Sequence, residues 1–350
     1  MMNDTKIEDL KKSLRHERTF VEAEHRNKII DSIVKKIEYV DVFYIRSENP
    51  ANSVKFLDND AIIVWDENYW DIFARYVKCV ENCRLTQENV TQGIIVEMAD
   101  FLGSKYSFCK EIERFLKQIP EQFSIGAQNK EDNSVIQLYI QIAQLFSLFH
   151  ELAHIESYKG NNRQILVYRE FVLDMFNSLN EEVFTPLEHW GELSRKVAAL
   201  DCEMSENILE EVVSDVFAIF QTIDFLNAYY HVNEWKLACY CAIAIDHILT
   251  FQNMFNAISS AWDGHFAEIM FRLPARKHEI DTYVNELATA RCGLGSLILV
   301  IVIYSKQRLS KEQINNLWEY RDIYHVDNTE VIACLADEEF ICTAIEEAFS

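Results

Sequence analysis

The sequence predicts a mainly helical fold with a small β element. Glycine and proline are scarce, 8 and 4 in 350 residues, so long stretches run without a helix breaker. Several of those stretches carry apolar residues at three- and four-residue spacing. The best candidate for strands is one short region, 53–65, where two apolar runs flank turn residues.

In chain order, residues 6–40 read as a charged amphipathic helix, with Ile7, Leu10, Leu14, Ile29, Ile30, Ile33 and Ile37 at helical spacing. VKFL and AIIVW flank the Asp58-Asn59-Asp60 turn, as a strand pair or as one strand with a loop. A helix is expected from about Asp66 to Val80, with further helical segments to Leu116. Residues 120–133 (PEQFSIGAQNKEDN) form a loop, and a long helix begins near Ser134. Residues 160–200 are helical apart from the Thr185–Pro186 break and Gly191. Another helix runs from Ser205 to about Tyr230, and 234–257 and 274–290 form two more. The run 294–304 is a buried helix or a strand, which periodicity does not separate, and 309–350 supplies two or three short helices.

The formal charge of −23 repels phosphate backbones, and the densest basic cluster, Lys11, Lys12 and Arg15, is diluted by Glu8, Asp9 and Glu17. Nucleic acid is therefore not an expected partner, whereas a polypeptide with basic segments meets no penalty. The nine cysteines show no disulfide spacing and no C-x-x-C, as in a cytosolic protein with reduced, buried thiols. The N-terminus is too charged for a secretory signal, and the apolar runs Leu237–Ile245 and Leu294–Tyr304 fall short of the roughly 20 residues a bilayer span needs. A soluble, cytoplasmic protein without a membrane partner is the expectation.

The chemistry concentrates in His150-Glu151-Leu152-Ala153-His154. On a helix, positions i and i+4 stand one turn apart on one face, so two imidazoles can reach a single metal ion. Glu151 lies beside the first of them, placed to take a proton from a metal-activated water. Residues 135–156 are apolar around most of the helix, while Gln144, Ser147, His150, Glu151 and His154 fall in one stripe about 120° wide. A buried polar stripe needs partners, and a metal with a water-filled cleft would supply them. For a lone histidine a hydrogen-bonded core role is the better reading, but the pair with Glu151 favours the metal.

A catalytic zinc site takes three protein ligands and leaves one position open. ILEEVVSDVFAIF (208–220) offers the third in Glu211, four residues before Asp215 on a common face. Asp215 can accept a hydrogen bond from the second ring nitrogen of a liganding histidine and so fix its tautomer. Glu210 is a fallback ligand about 100° round the helix from Glu211. A solvated acidic face is the plainer alternative for all three.

HELAH followed by Glu211-Val-Val-Ser-Asp215 resembles the gluzincin class of zinc metallopeptidases, thermolysin among them. In that class one helix gives two ligands and the base, and an E-x-x-S-D helix gives the third ligand and its support. The resemblance implies a zincin-like helical core, Zn2+ on His150, His154 and Glu211, Glu151 as base and Asp215 behind the ligands. It covers two segments rather than the whole chain. The interval between them exceeds that of thermolysin, and no N-A-x-x-Y strand is visible. The layout is closer to the minimal soluble gluzincins, phage-exclusion peptidases of bacteria included. It implies an endopeptidase acting on a protein or peptide substrate.

Donors for a developing oxyanion are sought in His247, beside Asp246 on an apolar helix, and in His265, Tyr229, Tyr230 and His231. Arg276 in LPAR (273–276) resembles the arginine that follows the Glu helix in some gluzincins, and could orient a carbonyl or pair with Glu210. For each of these a structural role is the plainer reading. Ala61–Trp65 is the upstream candidate for a strand that pairs edge to edge with substrate. Two other functions compete. A di-iron carboxylate bundle would use Glu151–His154 and Glu22–His25 as its Glu-x-x-His pairs. A non-catalytic interaction protein would keep the metal for structure alone, with no use for Glu151. The domain division expected is an N-terminal helical segment over 1–52, the metallopeptidase core over 53–290 and a C-terminal helical segment over 291–350.

Overall fold

A computed structural model of the chain describes residues 4–17, 19–47, 50–57, 60–82, 133–160, 163–178, 202–229 and 240–252. Helix makes up 73% of this part, beside one four-stranded sheet, so the mainly helical class with a small β element holds. The elements fall into two compact units, one with the sheet and one with the long helices.

The first unit opens with α1 (Asp4–Glu17), β1 (Phe20–Glu22), α2 (Lys28–Val34) and β2 (Val40–Ser47). The single helix expected over 6–40 is thus divided, and the segment 1–52 contributes two strands rather than helix alone. The physical reason is local. Phe20 and Val21 favour extended backbone, and Asn27 then restarts a helix by accepting hydrogen bonds from the Ile29 and Ile30 amides at 3.0 and 3.3 Å. The isoleucine spacing survives only across α2, which buries Ile30 and Ile33.

β3 (Ser53–Leu57) and β4 (Asp60–Asp66) are an antiparallel pair in which Leu57 faces Asp60, so the expected strand pair is present. The sheet order is β1-β2-β4-β3, with β2 and β4 parallel. This corrects the expectation for Ala61–Trp65. Both edges of β4 are already paired, so that strand has no free edge to offer a peptide. Every residue from Ala61 to Asp66 is buried, the mark of an interior strand covered on both faces. Leu10 and Leu14 of α1 cover one face through Ile45, Ile62 and Val64.

Helix α3 (Glu67–Asn82) follows β4 directly and stacks Trp70 on Trp65, ring centroids 5.0 Å apart. Its start is fixed by Asp66, fully buried. This carboxylate accepts from the Asn68 amide at 3.0 Å, from the Ser47 amide at 3.3 Å and from the Ser47 hydroxyl. One side chain therefore caps α3 and ties the end of β2 to β4. Asp66→Ala is expected to cost about 3 kcal/mol in urea unfolding, because the cap is lost and Ser47 keeps buried donors without an acceptor. A change below about 0.5 kcal/mol would place Asp66 among ordinary surface residues.

The second unit holds α4 (Asn133–Lys159), α5 (Arg163–Ser178), α6 (Cys202–Tyr229) and a helical stretch over 240–252. Helix α4 buries residues all round its circumference, among them Tyr139, Ile142, Phe146, Leu148, Leu152 and Ile155. It ends at Gly160, whose φ of 66° is the left-handed cap that glycine adopts without strain. Contacts of Phe149 with Phe225 and of His154 with Glu211 show α4 and α6 packed antiparallel. Among the described residues no helix is long and apolar enough to cross a membrane. The segments expected over 83–132, 179–201, 274–290, 294–304 and 309–350 lie outside the described residues.

Candidate metal centre

His150 and His154 stand one turn apart near the C-terminal end of α4, and Glu211 comes from the first half of α6. The two helices cross so that one nitrogen of each imidazole and the Glu211 carboxylate converge. Nε2 of His150 lies 3.0 Å from Nε2 of His154 and 3.3 Å from Glu211 Oε2, while His154 Nε2 lies 3.5 Å from Glu211 Oε1. A tetrahedral ion with bonds of 2.0–2.1 Å has ligand-to-ligand edges of about 3.3 Å. The three separations found here are close to that edge length, the two imidazoles facing different oxygens of the Glu211 carboxylate. Among the described residues this is the one group of three such side chains close enough to hold an ion.

The second ring nitrogens decide what the first ones offer. Nδ1 of His150 lies 2.9 Å from Oδ1 of Asp215, a carboxylate almost wholly buried. The Asp215 charge beside Nδ1 favours a proton on that nitrogen, and with the proton there Nε2 presents a lone pair to the cluster. Nδ1 of His154 lies 3.4 Å from the Ser214 hydroxyl. One helix therefore sets a carboxylate against both imidazoles and a polar side chain beside the second nitrogen of each, from Glu211, Ser214 and Asp215. Ser214 was not singled out from the sequence, although its place in the Glu211–Asp215 run is the signal that points to it.

Electrostatics follow the same geometry. Burial works against a charge on His150, but the Asp215 and Glu211 carboxylates outweigh it and hold its pKa up at about 10. With no ion bound, the imidazole keeps a proton through neutral pH, and the stability this gives is complete below about 6.5 and lost as pH rises through about 10. An ion must displace that proton. Metal affinity is therefore expected to rise about tenfold per pH unit between pH 7 and 9, measured by competition with a chelator of known pH dependence. An affinity flat across that range would remove His150 from the ligand set.

The cluster is open on one side. His154 and Glu211 keep 26% and 27% of their side-chain surface exposed, against 9% for His150, so access is from the His154–Glu211 edge. Glu151, half-buried, follows His150 by one residue and is not one of the three converging side chains. Glu210 is exposed and is not one of the three converging side chains. His247 is buried on the 240–252 stretch with its ring 5.8 Å from that of Tyr139. Tyr139 precedes His150 by three turns, about 16 Å along the helix axis, so the structure does not bring His247 to the cluster. Tyr230, His231, His265 and Arg276 lie outside the described residues, and Tyr229 ends α6.

The second Glu-x-x-His pair of the di-iron alternative is not on a helix. Glu22 ends β1, with its carboxylate 2.7 Å from the Lys11 ammonium, and His25 follows in an exposed turn of the other unit. Comparison of the chain with protein-family models, with curated proteins and with solved structures gave no match.

Proposed function

We propose that the protein is a zinc-dependent endopeptidase of gluzincin type, acting in the cytoplasm on a protein or peptide substrate. The observation that carries this reading is the convergence of His150, His154 and Glu211, with ligand-to-ligand distances suited to one tetrahedral ion. Two nitrogens and one carboxylate form the donor set of hydrolytic zinc enzymes, three protein ligands with a fourth corner left open. Zn2+ bound there supplies a Lewis acid that makes water ionisable near neutral pH.

The chain's own residues do the rest. Asp215 holds the His150 ring in one tautomer, and Ser214 steadies His154. Glu151 stands one residue round the helix from His150 and serves as the general base that takes up the water proton. It then returns that proton to the leaving amine. The exposed His154–Glu211 edge admits the peptide. A purely structural ion has no use for Glu151 in that position. Iron oxidases that share a two-histidine, one-carboxylate set likewise need no such base, which favours hydrolysis.

Metal analysis with peptide mapping tests the proposal. The protein purified with zinc is expected to hold one ion per chain and to generate new N-termini in a cell lysate, reversibly abolished by chelation. Two irons per chain, or a zinc-loaded protein that creates no new termini, would overturn it.

A further inference from the structure

A pocket of about 240 Å³ lies between α4, α5 and α6, on the flank of the converging side chains. Its lining joins apolar Ile165, Leu166 and Val213 to the carboxylates of Glu156 and Glu210. Arg169 also lines it, but its guanidinium is held 2.5 Å from the Glu206 carboxylate, which matches its charge. Ser214 belongs both to this lining and to the support of His154, so the pocket abuts the cluster.

Such a lining suits one kind of side chain. A long aliphatic stem packs on the apolar residues while a terminal cation reaches the Glu210 carboxylate. A neutral chain of equal length gains only the first contact, and an acidic one is repelled. The net charge of −23 favours approach of a basic segment from a distance.

We propose that this pocket takes a lysine or arginine side chain of the polypeptide that crosses the metal centre. Glu151 follows His150 by one residue and Ala153, in the pocket lining, precedes His154 by one. Base and pocket therefore lie on opposite sides of the two imidazoles, each about 100° round the helix. A peptide laid across the His154–Glu211 edge passes between them, its carbonyl over the cluster and one side chain toward the pocket. That this polypeptide is cleaved rests on the peptidase reading, but the binding preference does not.

The test uses the zinc-loaded Glu151→Gln protein with fluorescein-labelled Ala-Ala-Lys-Ala-Ala and its norleucine counterpart, read by fluorescence anisotropy. The lysine peptide is expected to bind about tenfold more tightly than the norleucine peptide. Glu210→Gln removes most of that preference, whereas Arg169→Gln, by deleting the one cation among the described lining residues, raises it. Both residues lie away from the ligand atoms, so zinc content stays unchanged. Equal binding of the two peptides, or a preference that survives Glu210→Gln intact, would overturn the proposal. A lysine preference lost in Glu210→Gln, in a protein that cleaves nothing, keeps the pocket and removes the peptidase. Cleavage without the preference does the reverse.

Discussion

Glu151→Gln is expected to lower kcat/KM about a thousandfold while leaving one zinc ion per chain, because the amide keeps the shape of the carboxylate but takes up no proton. The base contributes only once water has to be deprotonated, so the loss appears in kcat, and KM for peptides stays within about twofold. Zinc is expected to stay because the side chains proposed to hold it, His150, His154 and Glu211, are not altered. Parallel measurement of zinc by mass spectrometry and of cleavage on one peptide checks both halves. Unchanged cleavage would remove Glu151 from the mechanism, and loss of zinc together with activity would instead make it a structural part of the centre.

Glu211→Ala is expected to weaken zinc binding by more than the about 10–100-fold that loss of a supporting carboxylate costs. Asp215→Asn falls within that range, since His150 keeps its lone pair but loses the acceptor 2.9 Å from Nδ1. Glu210→Ala, at an exposed carboxylate outside the triangle, changes affinity by no more than about twofold. Chelator competition on the three variants gives the ranking directly. Equal affinities for Glu211→Ala and Glu210→Ala would take Glu211 out of the site. The variants fold alike by circular dichroism if the effect is local, since Glu211 is partly exposed.

The parts of this protein legible in the sequence are those that depend on neighbours a few residues away. Helix α4 begins at Asn133 and α6 ends at Tyr229, each within a residue of the start and end read from spacing. The i, i+4 relation of His150 to His154 needs only helical rise and turn. The choice of Glu211 over Glu210 was likewise available, because Asp215 is one turn from the former and not from the latter. Strands β1 and β2 were not legible. Val40–Ser47 alternates in burial only because β4 lies beside it and α1 and α3 lie near it in sequence-distant register. The isoleucines before it at helical spacing extended the helical reading too far.

His247 and Ala61–Trp65 show the same limit at single positions. A histidine beside an aspartate on an apolar helix has the composition of a catalytic group, yet its neighbour is Tyr139, chosen by how the 240–252 stretch packs on α4. An apolar run suited to an edge strand became an interior one because two other strands pair with it.

The sequence by itself determined the mainly helical class, the two helices that carry the candidate ligands and the identities of their polar residues. Periodicity and side-chain chemistry are properties of the local chain, and they act before any long-range contact forms. The tertiary structure alone decided that α4 and α6 run antiparallel in a register that sets Glu211 against both imidazoles and Asp215 behind one. It also decided that a half-apolar, half-acidic pocket opens beside them. Those facts are distances between residues far apart in the chain, fixed by which buried faces fit together, and no local pattern encodes them.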